Sequence, residues 1–141
     1  MSSSSVCVDA SLVVRLVADP RDKRVRSLWE QWDSEKRLLC APTLLYFKVS
    51  NALYRYQRAD MMSPSSMRLA LTAALSLPIR LYGDEALHSL AIDLAERFSL
   101  PAVYDAHYLA LAQHLGAEFW SSDKKLIHTV QSALPWVHSV E

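Results

Sequence analysis

The sequence predicts an α/β domain of three layers, a mostly parallel central sheet flanked by helices. Three observations predict it. Short β-branched apolar runs alternate with longer segments of helical period from one end of the chain to the other. The first of these runs, 5-SVCV-8, is apolar without a polar alternate, as a strand buried on both faces requires. The helical segments begin and end on recognisable signals: serine, threonine or proline at the starts, glycine or proline at the ends.

Taken in order, strand 5–8 ends at Asp9. A short helix over 11–18 is stopped by Asp19-Pro20. Residues 22–35 place Val25, Leu28, Trp29 and Trp32 three and four apart, one face of a helix. A strand over 37–41 leads into Pro42 and Thr43, which open a helix over 43–58. Leu44, Phe47, Asn51 and Tyr54 form its expected stripe. Ser63-Pro64 starts a helix over 64–76, and 77–82 reads as a strand. A helix over 84–98 carries acids at its start, as the helix dipole favours. A further helix over 102–115 ends at Gly116. A strand over 117–121, a helix over 123–133 and an edge strand over 135–140 complete the order, the proline of the last suiting an edge.

The 141 residues suit a single domain, 1–141, with residues 1–5 as a flexible end. The formal net charge is zero, yet residues 1–80 hold 12 Lys and Arg against 7 Asp and Glu, while 81–141 hold 3 against 8. That balance excludes nucleic-acid binding by bulk charge alone and permits a local phosphate-binding surface. Two glycines are too few for a glycine-rich phosphate loop. Cys7 and Cys40 lie in apolar runs and read as buried thiols of a reducing cytoplasm. No apolar run reaches the ~20 residues of a membrane span, and the first residues lack the pattern of a signal peptide.

In open α/β sheets, ligands bind beyond the carboxyl ends of the strands. Asp9 and Asp123 follow strand ends, and Asp105 lies in a first helical turn. Converging carboxylates bind hard divalent cations, which can activate water against a phosphodiester. Each aspartate also has a simpler role: Asp9 and Asp123 as helix caps, Asp105 as a complement to a helix dipole. The joint pattern favours a site.

The segments 6-VCVDASLVVRLV-17, 41-APTLLYFKVSNALYR-55 and 100-LPAVYDAHYLALAQHLGAEFWSSDKKL-126 resemble the PIN-domain family, in particular its VapC-like toxin ribonucleases of toxin–antitoxin pairs. The most specific feature is the YDA-x-YLALA helix followed by a glycine, a strand and S-x-D-x-x-L. The resemblance implies a PIN-like fold, acidic residues around Mg²⁺ or Mn²⁺, and metal-dependent cleavage of RNA. It further implies a homodimer and a small antitoxin partner. Carried over, the acids are Asp9, Asp105 and Asp123; Ser121 takes the hydroxyl position of the S-x-D motif, and Ser11 and Asn51 are accessory.

The resemblance also calls for a glutamate where this chain has Lys48, in 48-KVSNAL-53. That exchange shifts the local charge by two units. At an effective dielectric near 20, like charges about 4 Å apart cost on the order of 4 kcal/mol, so the metal is disfavoured. Lys48 then has three readings. It stands in for the cation among the aspartates, it contacts a substrate phosphate beside a weakly held metal, or the helix is turned and it faces solvent. The site is therefore a metal-dependent endoribonuclease weakened by Lys48, or a silenced fold that binds RNA or a protein without cutting. Asp84 and Glu85 follow a strand as well, but they equally start a helix.

Receiver domains and haloacid-dehalogenase-like phosphatases fit poorly, because Asp9 is followed by Ala10 and Ser11 rather than a second acid. His88, His107, His114, His128 and His138 show no metal-site spacing and read as surface or core residues. Trp29, Trp32, Trp120 and Trp136 read as core or interface.

Overall fold

The computed structural model describes residues 5–141. The chain runs β1 (Ser5–Val8), α1 (Ala10–Ala18), α2 (Lys23–Ser34), β2 (Leu38–Pro42), α3 (Leu44–Arg58), α4 (Pro64–Leu75), β3 (Ile79–Tyr82), α5 (Ala86–Arg97), α6 (Ala106–Leu115), β4 (Glu118–Ser121), α7 (Lys124–Val130) and β5 (Val137–Ser139). The strands form one sheet in the order β3-β2-β1-β4-β5. Every pairing is parallel, so the three-layer α/β arrangement holds, with β5 at an edge as its proline-led sequence requires. The expected flexible end, 1–5, lies outside the described residues except for Ser5, the first residue of β1.

β1 is central because it must be: Val6, Cys7 and Val8 are completely buried, which only an inner strand covered on both faces allows. Cys7 aligns with Cys40 on one side and Phe119 on the other. Both thiols are free and buried. Helix α6 lies against β1, β2 and β4 and pairs with α5. It presents Tyr108, Leu109, Leu111 and Ala112 to the core, all fully buried. Helices α1, α3 and α4 pack on one another. Trp32 fills the space between α2 and the sheet, edge-on to Trp29 at 5.3 Å and to Trp120 at 5.9 Å.

Several boundaries differ from expectation. The helix expected over 102–115 begins only at Ala106, after Ser99 with φ 51° and the turn that follows Pro101. The strand expected from Leu77 begins at Ile79, because Pro78 has no N–H to give. The last helix stops at Val130 rather than 133. The stripe on α3 is also rephased. Leu45, Val49 and Leu53 are the buried residues, while Phe47 and Tyr54 are 74% and 51% exposed. Two apolar stripes lie side by side on this helix, and the one interrupted by Asn51 faces outward.

A candidate acidic site with an internal cation

The carboxyl ends of β1 and β4 lie side by side, Val8 opposite Trp120. Asp9 follows at once, its N–H donating to the Trp120 carbonyl at 3.1 Å. This backbone bond seats the Asp9 side chain beside Ser121. Asp9 stands at the N-cap position of α1, but its carboxylate accepts no backbone N–H of the first turn. Instead Oδ2 accepts from the Ser11 and Ser121 hydroxyls, both at 2.7 Å. Each hydroxyl is itself positioned, Ser11 Oγ accepting from the Ser122 amide at 3.1 Å and Ser121 Oγ from the Asp123 amide at 2.9 Å. Ser121 is entirely buried.

Asp123 caps α7, its Oδ1 accepting from the Leu126 amide at 3.2 Å. It nevertheless borders the same hollow as Asp9, Ser11 and Lys48, ≈ 390 Å³ in volume. Asp105 occupies the position before α6 without capping it. Its carboxylate accepts a hydrogen bond from the Lys48 ammonium, an ion pair linking α3 to the start of α6. Lys48 Nζ also stands 5.7 Å from the centre of the Tyr108 ring. Lys48 therefore points into the acid cluster, not into solvent.

Burial raises the pKa of Asp9; the Ser11 and Ser121 hydroxyls and then the Lys48 charge pull it back, and Asp105 pushes it further up. Tyr108 is a member of the site that the sequence reading passes over. Its ring is fully buried, and its ionisation is pushed well up by burial and then by Asp9, Cys7 and Asp105. The Ala10 amide approaches its hydroxyl, which nonetheless lacks any partner in hydrogen-bond geometry. The signal is in the sequence: Tyr108 lies three residues after Asp105 and so shares its helix face.

Beyond Lys48 and Asp123 the hollow opens into a cleft of ≈ 480 Å³, lined by Leu44, Phe47, Asn51, Leu100, Tyr104 and Leu126 among others. Asn51 lines this cleft and not the hollow that holds Asp9. Asp84 lines an adjoining groove with His88 and His107, apart from the three aspartates.

A divalent ion needs several carboxylate oxygens with free lone pairs aimed at one point. Here the Lys48 ammonium sits on Asp105 and brings a positive charge among the acids, while Asp9 and Asp123 each commit one oxygen to protein donors. Among the described residues no group of three or more acidic, histidine or cysteine side chains is gathered for a metal. As arranged around Lys48, these donors do not fit Mg²⁺ or Mn²⁺.

An ionised Asp9 is costly where it sits, so Asp9→Asn is expected to leave stability unchanged or raise it by about 1 kcal/mol at pH 7. The native carboxyl has its folded pKa above its unfolded one. The variant's advantage is therefore full above the folded value and disappears as pH falls to the unfolded one. Urea melts of both proteins from pH 4 to 8 check this, and an advantage that grows on acidification would contradict it.

No family model matches the chain, and no curated protein matches it. Solved structures do. A chain of a toxin–antitoxin complex from Klebsiella pneumoniae superposes with a TM-score of 0.67 at 15% identity, over 96% of this chain and 98% of that one. PAE2754 from Pyrobaculum aerophilum superposes with a TM-score of 0.72 at 21% identity, over 99% and 92%. No helix among the described residues is long and apolar enough to cross a membrane. The chain shares the fold of these proteins over nearly its whole length.

Proposed function

We propose that this chain is a PIN-domain protein of the VapC-like toxin type whose acidic centre is held by Lys48 in place of a metal. It acts by binding a protein partner in the adjoining cleft rather than by metal-dependent hydrolysis. The observation that carries the reading is the Lys48–Asp105 ion pair. Three carboxylates and one ammonium leave the same two negative charges as four carboxylates and one dication. Lys48 thus supplies the charge balance of a metal-loaded site without supplying an activated water.

The character of the cleft supports a protein partner. Its walls are largely aliphatic and aromatic, and Phe47 and Tyr104 stand 74% and 65% exposed at its rim. Such residues anchor apolar side chains of a peptide, and Lys125 on the same wall supplies a cation for an acidic one. The Klebsiella pneumoniae chain of the same fold belongs to a toxin–antitoxin complex, and by that likeness the partner is an antitoxin protein. A displayed peptide library selected on the native chain should enrich sequences with spaced apolar anchors. Phe47→Asp should weaken the selected peptides at least tenfold. Peptides that bind Phe47→Asp as well as the native chain would place the partner elsewhere.

A second reading, a Mg²⁺- or Mn²⁺-dependent endoribonuclease with RNA as substrate and a reduced rate, is favoured by one observation. The Asp9–Ser121–Asp123 hydrogen-bond relay is complete, which the binding reading does not require. Cleavage of RNA by the native chain with Mn²⁺, lost in Asp9→Asn, distinguishes the two.

A further inference from the structure

Cys7 on β1 and Cys40 on β2 stand opposite one another across parallel strands. Residues so paired leave the sheet on the same face. Here it is the face that α6 covers, where the Cys7 thiol donates to the Tyr108 carbonyl at 3.6 Å. Neighbouring strands lie about 4.8 Å apart, inside the Cα separation of about 4.4–6.8 Å that a disulfide spans. Both thiols are free, and each is within hydrogen-bonding reach of the other. Their surroundings differ. Cys7 is completely buried, whereas Cys40 is 4% exposed and lines a groove of ≈ 470 Å³. The groove reaches Ser5 and Leu38, the first residues of β1 and β2, so it opens at the end of the sheet away from the aspartates. Arg80, opposite Cys40 on β3, lines it together with Arg37, against one carboxylate, Asp33. Arg37 is already paired with Glu35 and Glu118, and Arg80 shares the face of Cys40.

We propose that Cys40 and Cys7 form a thiol pair oxidised by hydroperoxides, in which Cys40 meets the oxidant from the groove and Cys7 closes a disulfide between β1 and β2. The thiolate is the attacking form, and guanidinium groups beside a thiol favour it. The hydrogen bond from Cys7 also lowers the pKa of Cys40, against the opposing effect of burial. The Cys40 thiolate attacks one oxygen of the hydroperoxide. The O–O bond breaks, the sulfur is oxidised to a sulfenic acid, and the other oxygen leaves as an alcohol or water with the proton that the thiol gave up. Cys7 sulfur then displaces the sulfenic oxygen. The S–S bond forms, the S–O bond breaks, and the Cys7 proton leaves with that oxygen as water, so one hydroperoxide is reduced per disulfide formed. A hydroperoxide is small enough to reach a sulfur so little exposed, and a bulky disulfide oxidant is not. Side chains that leave parallel strands side by side must tilt toward each other to join, so the bond is strained and readily reduced again. The bridge would pin β1, which runs into Asp9, to β2, which leads through Thr43 into the helix of Lys48.

This inference does not depend on the role proposed for the cleft. Its test is treatment of the reduced full chain with hydrogen peroxide, followed by alkylation of the remaining thiols and peptide mapping by mass spectrometry, with Cys7→Ala and Cys40→Ala alongside. The native chain is expected to yield a linked pair of peptides carrying Cys7 and Cys40, and dithiothreitol should restore both thiols. Cys7→Ala should stop at the sulfenic acid and take up one dimedone at Cys40. Cys40→Ala should be oxidised at Cys7 at least tenfold more slowly than Cys7→Ala is at Cys40. Circular dichroism verifies that the variants are folded, and the map of the native chain decides alone where a variant is not. A native chain that keeps both thiols under excess peroxide overturns the proposal. So does a disulfide that joins two chains instead of closing within one, or oxidation of Cys40→Ala as fast as of Cys7→Ala.

Discussion

Lys48→Glu is expected to create a divalent-metal site where the native chain has an ion pair. The substitution removes the ammonium from Asp105 and adds a fourth carboxylate beside Asp9, Asp105 and Asp123. At an effective dielectric near 20, each unit-charge contact at about 4 Å is worth on the order of 4 kcal/mol, so the change in metal affinity is large even after discounting for the partial exposure of Lys48. Without metal the variant should be less stable than the native chain, because four carboxylates repel. With Mn²⁺ at about one hundred times its dissociation constant, binding adds about 2.7 kcal/mol. For a chain of this size that raises the melting temperature by about 5–10 °C, while the native chain should move by less than about 1 °C. The same variant tests the chemistry. If Lys48 silences a nuclease, Lys48→Glu cleaves RNA with Mn²⁺, Lys48→Glu with Asp9→Asn does not, and the native chain does not. A native chain that cuts, with Asp9→Asn inactive, would sink the closed-site reading in favour of the endoribonuclease. The thermal shift decides the metal question even where the RNA supplied is not one the site accepts.

Most of this site is legible before the fold, for a physical reason. A parallel sheet collects residues distant in the chain at one edge, so aspartates that end strands or begin helices on that edge must approach one another. Asp9, Asp105 and Asp123 can be placed at that edge from the order of elements, whereas Ser121 follows from the S-x-D motif of the resemblance. The charge sign of Lys48 is equally visible, and a cation on a helix facing that edge has carboxylates to meet. What periodicity cannot decide is phase. On α3, Leu44–Phe47–Asn51–Tyr54 and Leu45–Val49–Leu53 are neighbouring stripes of one helix, and only the tertiary packing that buries Leu45 chooses between them. The choice matters, because it leaves Phe47 at the cleft instead of in the core. Tyr108 escapes for a related reason: a tyrosine among leucines and alanines reads as packing, and its relation to Asp105 appears only once α6 is known to face the acid cluster. The start of α6 is misplaced because Leu100-Pro101 looks like an opening signal, whereas the chain takes another turn before Ala106.

Ser121→Ala is expected to destabilise the protein by about 2–3 kcal/mol at pH 7, a fall of about 6–10 °C in melting temperature. The hydroxyl is completely buried, and it serves two neighbours at once, donating to Asp9 at 2.7 Å and accepting from the Asp123 amide at 2.9 Å. Alanine fits the space and serves neither. The larger part of the loss falls on Asp9, because hydrogen bonds to a charged group are worth more than neutral ones. That assigns the effect a pH dependence. Burial already places the folded pKa of Asp9 above its unfolded value, and the Ser121 hydroxyl works against this. Its removal raises the folded value further. A raised acid detracts from stability when it is ionised, so the extra loss is complete above the variant's folded pKa. The unfolded state is common to both chains and cancels, so the extra loss shrinks as pH falls through the two folded values and is gone below that of the native chain. What persists in acid is the neutral remainder, chiefly the unpaired Asp123 amide. Denaturant melts of native and Ser121→Ala chains across pH 4–8, repeated on an Asp9→Asn background, separate the two parts. The gap should narrow on acidification with Asp9 present and stay flat where a neutral amide replaces that carboxylate. A gap that narrows equally in both backgrounds would mean that Ser121 is coupled to some other titrating group and not to the carboxylate it faces.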